Sequence, residues 1–167
     1  PNVAQLILTN LYLGIAGGAL QTARDYTVNQ SRPWFTSGVE SSTADPYILH
    51  RYAEMWLKLK PASMLADEAA VRLDQALAAG DALTAAQRAG VAVAITEAKI
   101  LATRAGLDIT AQLFDVAGAR ATSGVLALDR FWRNVRTHTL HDPVDYKLKE
   151  LGNWVLNDIA PTPSLYS

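Results

Sequence analysis

Apolar residues recur at spacings of three and four along most of the chain, the period of a helix with one buried face. The first such segment runs from about Asn2 to Asn29, with Val3, Leu6, Ile7, Leu13 and Leu20 as its main apolar positions. Gly14, Gly17 and Gly18 interrupt it, and glycine inside a helix costs roughly 1 kcal/mol relative to alanine. Close approach of another backbone is the expected reason. Residues 30–45 break the pattern with polar residues, Pro33 and Gly38. Asp45-Pro46 then restarts it, Asp as N-cap and Pro in the first turn. A long run follows through Ile48, Leu49, Tyr52, Met55, Trp56, Leu59, Ser63, Ala66, Ala70, Leu73 and Leu77, with Pro61 as an expected kink.

Gly80-Asp81 closes that helix, and Thr84-Ala85-Ala86-Gln87 reads as a capping box opening the next. Its stripe is Val91, Ile95, Ala98, Ala102, Ala105, Ile109, Leu113 and Val116, ended by Gly118. A fourth helix is predicted from about Ser123 to Thr139. A fifth begins at Asp142-Pro143, again with Asp as N-cap, and carries Val144, Leu148, Leu151 and Val155. Pro161 and Pro163 keep the tail out of a helix and leave it free to lie on a partner. No alternating strand pattern and no internal repeat is visible. The prediction is all-α, an up-and-down bundle of four to five long helices over 1–159 with a tail at 160–167.

Composition narrows the function classes. Of 167 residues, 50% are hydrophobic and 19% charged, the latter below the roughly 25% of an average domain. A surface so poor in charge is expected to be covered in part by something else. The net charge of -1 lacks the basic surplus that phosphate contacts with nucleic acid require. No stretch reaches about 20 uninterrupted apolar residues, so no membrane partner is expected. Cysteine is absent, which removes disulfides, thiolate metal sites and thiol nucleophiles. The chain starts at Pro1 without a secretory pattern and is expected to be part of a longer, cytoplasmic protein.

Three polar interruptions hold the candidate chemistry. Near Arg130, Arg133 and Arg136 lie His138 and His141, a His-x-x-His pair with no third metal ligand nearby. His141, expected in the loop between two helices, has the side chain for a general acid or base, although a surface histidine fits the same spacing. Gly118-Ala119-Arg120-Ala121-Thr122-Ser123-Gly124 offers a guanidinium, hydroxyls and freed amides that suit an anion. A plain helix C-cap followed by a Ser N-cap explains it equally well. Arg32 beside Trp34 reads either as an anion ligand or as a loop charge stacked on an indole.

The run Phe131-Trp132-Arg133-Asn134-Val135-Arg136-Thr137-His138-Thr139-Leu140-His141-Asp142-Pro143 resembles the C-terminal region of flavin-dependent monooxygenases related to dibenzothiophene monooxygenase, a branch of the acyl-CoA dehydrogenase superfamily. Arg32-Pro33-Trp34, Gly118 to Thr122, and Leu13 to Ala19 fit the same branch. The resemblance implies the last of three domains of a flavoenzyme subunit that assembles as dimers or tetramers. Gly118-Ala119-Arg120-Ala121 stands where dehydrogenases carry Gly-Gly-x-Gly, so the resemblance makes Arg120 and Thr122 an FMN phosphate clamp. It gives Arg32 the role of reaching the flavin of a neighbouring subunit.

Asp142-Pro143 replaces the Glu-Gly pair that many dehydrogenases use to remove a proton, and His141 becomes the catalytic candidate. It would stabilise or protonate a C4a-hydroperoxyflavin formed from O2 and FMNH2, the latter supplied by a separate flavin reductase. Oxygen would pass to a sulfur, nitrogen or aromatic carbon of a small-molecule substrate. The alternatives are an FAD-dependent acyl-CoA dehydrogenase with Asp142 as base, and a non-enzymatic helical oligomerisation module. Without its other domains the piece is expected to be inactive.

Overall fold

The computed structural model describes residues 1–164. Five α-helices form, and no strand occurs among the described residues: α1 (Asn2–Asn29), α2 (Pro46–Ala79), α3 (Ala85–Ala117), α4 (Asp129–His141) and α5 (Val144–Asn157). Three are long and two short. Helix α3 is the centre, packed against α1 and α2 along its length and against α4 and α5 on a further side.

Small residues rather than large ones make the contact between the long helices. Ala16, Ala19 and Ala23 on α1, Ala62, Ala66 and Ala69 on α2, and Ala98, Ala102 and Ala105 on α3 are all buried. Short side chains at the crossing let helix axes approach closely. The larger apolar residues expected to face inward split accordingly. Leu6, Leu13, Met55 and Leu73 are buried, whereas Ile7, Trp56 and Leu77 are more than half exposed. Helix α1 has the length and apolarity of a membrane span, with a mean hydropathy of 1.5 over its most apolar stretch. Its Tyr12, Ala16, Ala19 and Ala23 face is fully buried in the bundle.

The helix ends follow local chemistry. Asp45 accepts the Tyr47 N–H at 2.9 Å to cap α2, with Pro46 in its first turn. Thr84 and Gln87 form the reciprocal capping box of α3, with bonds of 3.2 and 2.9 Å. Gly118 ends α3 at φ 79°, a left-handed conformation open to glycine at little cost. Pro61 lies within α2 without ending it.

Several expectations are corrected. Helix α4 starts at Asp129 rather than near Ser123, because Ser123 and Gly124 open a run of turns in which Ala127 takes φ 47°. Ser123 Oγ accepts the Val125 N–H instead of capping a helix. Gly14 and Gly17 have no other element of this chain within 4 Å of a built Cβ, and Gly18 meets only the Phe131 ring, at 3.5 Å. Within this chain the tight glycine contact is at Gly106, where a Cβ would lie 3.2 Å from Val135 Cγ1. Beyond α5 the tail turns back on its own helix. Pro161 is buried, and 159–162 share a shallow cleft with Tyr146, Lys149, Glu150 and Asn153. Residues 165–167 of the predicted tail lie outside the described part.

Candidate functional site

Two of the polar interruptions meet at one end of the bundle. The chain leaving α1 is tied to the end of α3 by three bonds. Thr27 Oγ1 donates to the Val116 carbonyl at 3.1 Å, Ser31 Oγ to the Ala117 carbonyl at 3.3 Å, and Arg120 Nη2 to the Gln30 carbonyl at 3.0 Å. Arg120 sits on a 3₁₀ turn, Ala119–Thr122, held down by buried Ala121. Its guanidinium is therefore fixed by one N–H and exposed, next to the loop that carries exposed Arg32. Thr122 Oγ1 donates to the Ala119 carbonyl at 2.7 Å. Trp34 stands against the Phe35 ring at 4.6 Å, and both rings are largely exposed. The cation–π contact among the described residues lies elsewhere, with Arg130 4.7 Å from the Phe131 ring centre. Arg120 lies beside the loop that carries Arg32, both are exposed, and among the described residues no acidic side chain is bonded to either, a donor set suited to a phosphate.

The third interruption lies far from this end. His141 is the last residue of α4, not a loop residue, and is exposed, as is His138. Among the described residues no group of three or more His, Asp or Glu converges as metal ligands do. Asp142 does not cap α5. That helix has Pro143 at its N-cap position and no side-chain cap. The Asp142 carboxylate instead turns inward and pairs with Lys99 Nζ, whose ammonium also donates to Gln5 Oε1. Lys99 is 1% exposed and Asp142 6%. Burial pulls the Lys99 ammonium below its usual range. The Asp142 hydrogen bond and charge act against that shift, and neighbouring Lys147 adds to it. Lys147 is itself buried and paired with Glu150 at 3.1 Å. Tyr12, fully buried, has a hydroxyl with no hydrogen-bond partner among the described residues. Its pKa is pushed up to about 12, first by burial and then by the Asp142 charge.

Lys99 is the residue that sequence reasoning missed. A signal was present. Glu97, Arg104, Asp108 and Asp115 are spaced by seven, four and seven residues and so fall on one solvent strip of α3. Lys99 is two residues from Glu97, about 200° around the helix, which turns its charge into the bundle.

The two regions are separated along α3. Lys99, beneath His141, and Ala117, beneath Arg120, lie about 27 Å apart at 1.5 Å per residue. Helix α4 runs antiparallel between them, its Val135 on Gly106 and its far end on Lys99. The segments that carry Arg32, Arg120 and Thr122 are therefore brought together, and His141 stands toward the other end of α3.

The structure is an all-helical bundle with a cationic corner at one end and a histidine beside a buried ion pair at the other. The chain belongs to the family of the acyl-CoA dehydrogenase C-terminal domain, whose model matches residues 6–146. It is 54% identical over its full length to a probable FMNH2-dependent monooxygenase, SfnC, of Pseudomonas putida, and covers 42% of that protein. It superposes on methanesulfinate monooxygenase MsuC of Pseudomonas fluorescens with a TM-score of 0.97 at 50% identity, covering 99% of this chain and 43% of that one. Dibenzothiophene monooxygenase TdsC of Paenibacillus sp. A11-2, solved with FMN bound, matches at TM-score 0.95 and 48% identity over 99% of this chain and 42% of its own. The chain thus spans less than half the length of the relatives it matches.

Proposed function

We propose that this chain is the C-terminal helical part of a two-component monooxygenase that uses reduced FMN to oxygenate a sulfur-containing small molecule. The observation that carries the reading is the match of nearly the whole chain to FMN-bound TdsC. Reduced FMN, when bound, supplies the two electrons with which O2 is split between product and water, and a separate cytoplasmic reductase supplies it.

Arg32 and Arg120 would hold the phosphate, the second pre-aimed by its bond to Gln30. Thr122 joins them once its hydroxyl turns from the Ala119 carbonyl to the anion. His141, at the other end, would hold a proton at its imidazole and pass it to the oxygen that leaves as water. The separation of about 27 Å along α3 exceeds the span of one FMN molecule. The arginine corner and His141 of one chain therefore serve different flavins, which supports a homo-oligomer whose sites are completed by a second copy. The face carrying exposed Gly14 and half-buried Gly17, which nothing else in this chain approaches within 4 Å of a built Cβ, is available for such a contact.

The acyl-CoA dehydrogenase reading needs Asp142 as a free base. Its carboxylate is instead buried and committed to Lys99, which weighs against that role. The test uses the full-length, FMN-loaded enzyme. His141→Ala should lower oxygenation of a sulfur substrate at least 100-fold while FMN affinity changes less than twofold. Full turnover in that variant ends the assignment.

A further inference from the structure

The corner between α4 and α5 has no side-chain cap of its own. Pro143 has no N–H to give, and Asp142 crosses the junction in an extended conformation at φ -137°. A fastening remote in sequence holds this corner, a Lys99 ammonium that bonds both Asp142 on the corner and Gln5 on α1. We infer that Lys99 is a positioning residue, whose buried bridge from Gln5 to Asp142 fixes the α4–α5 corner and so sets the aim of His141.

The inference rests on the proposed role of His141 and adds to it a residue that touches neither flavin nor substrate. Stability alone accounts poorly for the bridge. Two charges taken out of water gain little or nothing over a well-packed apolar pair. What charges add is direction, since an ammonium between two oxygens fixes both acceptors, and an apolar pair fixes neither. His141 adjoins Asp142, so any slide of that carboxylate moves the end of α4 on which the imidazole stands. Close packing of α4 on Gly106 holds Val135 two turns away, buried Thr139 seats the next turn, and the bridge holds the residue that follows His141.

The test separates placement from stability. In the full-length, FMN-loaded enzyme, Lys99→Met with Asp142→Leu removes both charges and keeps the volume apolar. FMN affinity should stay at its wild-type value and the thermal midpoint should fall by no more than the few degrees that an unpaired Gln5 amide costs, while kcat falls at least tenfold and KM changes less than twofold. Amide hydrogen exchange over 140–144 should rise at least tenfold, a readout independent of turnover. Gln5→Leu, which removes one arm, should give the same pattern at about threefold. Wild-type kcat and wild-type exchange in the double variant overturn the inference. So does a double variant that fails to fold, since the pair would then be a structural requirement. His141→Ala, run beside it, tells the failures apart. Full turnover there removes the histidine role and this inference with it. Lost turnover there, with wild-type kcat in the double variant, removes the bridge alone.

Discussion

Replacing Tyr12 by Phe should stabilise the protein, although it deletes a polar group from the centre of the bundle. The Tyr12 hydroxyl is fully buried and makes no hydrogen bond with any described residue. A buried hydroxyl without a partner costs about 1–3 kcal/mol in desolvation, and Phe removes that cost while keeping the ring. At near-neutral pH, Tyr12→Phe should therefore gain about 1–3 kcal/mol, or roughly 2–4 °C in Tm per kcal/mol for a chain of this size. Alkali adds a second signature. The folded hydroxyl, with its pKa at about 12, keeps its proton where the unfolded one, at about 10, has lost it. Stability from this group is complete below pH 10 and is lost as pH rises through 12. About 1.4 kcal/mol is gone by pH 11, and about twice that once the folded group has titrated. Phe has no such loss, so the gap between the two proteins should widen by about 1.4 kcal/mol between pH 8 and pH 11. Urea unfolding of both at the two pH values measures it. A Tyr12→Phe protein less stable than wild type at pH 8 would show that the hydroxyl has a partner. A gap independent of pH would show that its proton is not held.

Gly106→Ala should destabilise by about 1–3 kcal/mol despite the better helix propensity, because the added carbon meets fully buried Val135 at 3.2 Å. Adding Val135→Ala should then cost less than it does alone, which a double-mutant cycle by urea unfolding reads. Thr84→Ala breaks the capping box of α3 and should cost about 1 kcal/mol by the same assay. Arg120→Ala in the full-length enzyme should weaken FMN binding about tenfold, a change of about 1.4 kcal/mol, while kcat at saturating FMN stays within twofold. Fluorescence titration checks that prediction, and unchanged affinity would remove Arg120 from the phosphate site.

The helices were legible because caps and period agree. Asp45-Pro46, the Thr84 and Gln87 box, and Gly118 mark ends that backbone chemistry enforces wherever the helix packs. Which face each helix buries was less legible. Alanines carry the contacts of α1, α2 and α3, and a pattern weighted toward large apolar residues points to Ile7, Trp56 and Leu77, which lie on the outside. The second Asp-Pro pair shows the limit of a local rule. At Asp45 the carboxylate finds only its own helix amides, whereas at Asp142 a buried ammonium lies within reach and prevails. The arginine corner was readable as two separate anion sites. Their union depends on α1 and α3 ending side by side, which is a property of the packing and of neither segment alone.

The bridge at Lys99 also bears on how the domain opens. The Asp142 bond joins residues 43 positions apart and the Gln5 bond residues 94 apart. The Gln5 arm spans about the same length of chain as the packing of α1 on α3, where Thr27 bonds Val116 across 89 positions, so the two close together. Helices α4 and α5 touch α3 over less of its length than α1 and α2 do, so their corner can open locally while the three long helices stay packed. His141 thus stands on the segment least bound to the core, and a single ammonium ties that segment to α1 and α3 at once.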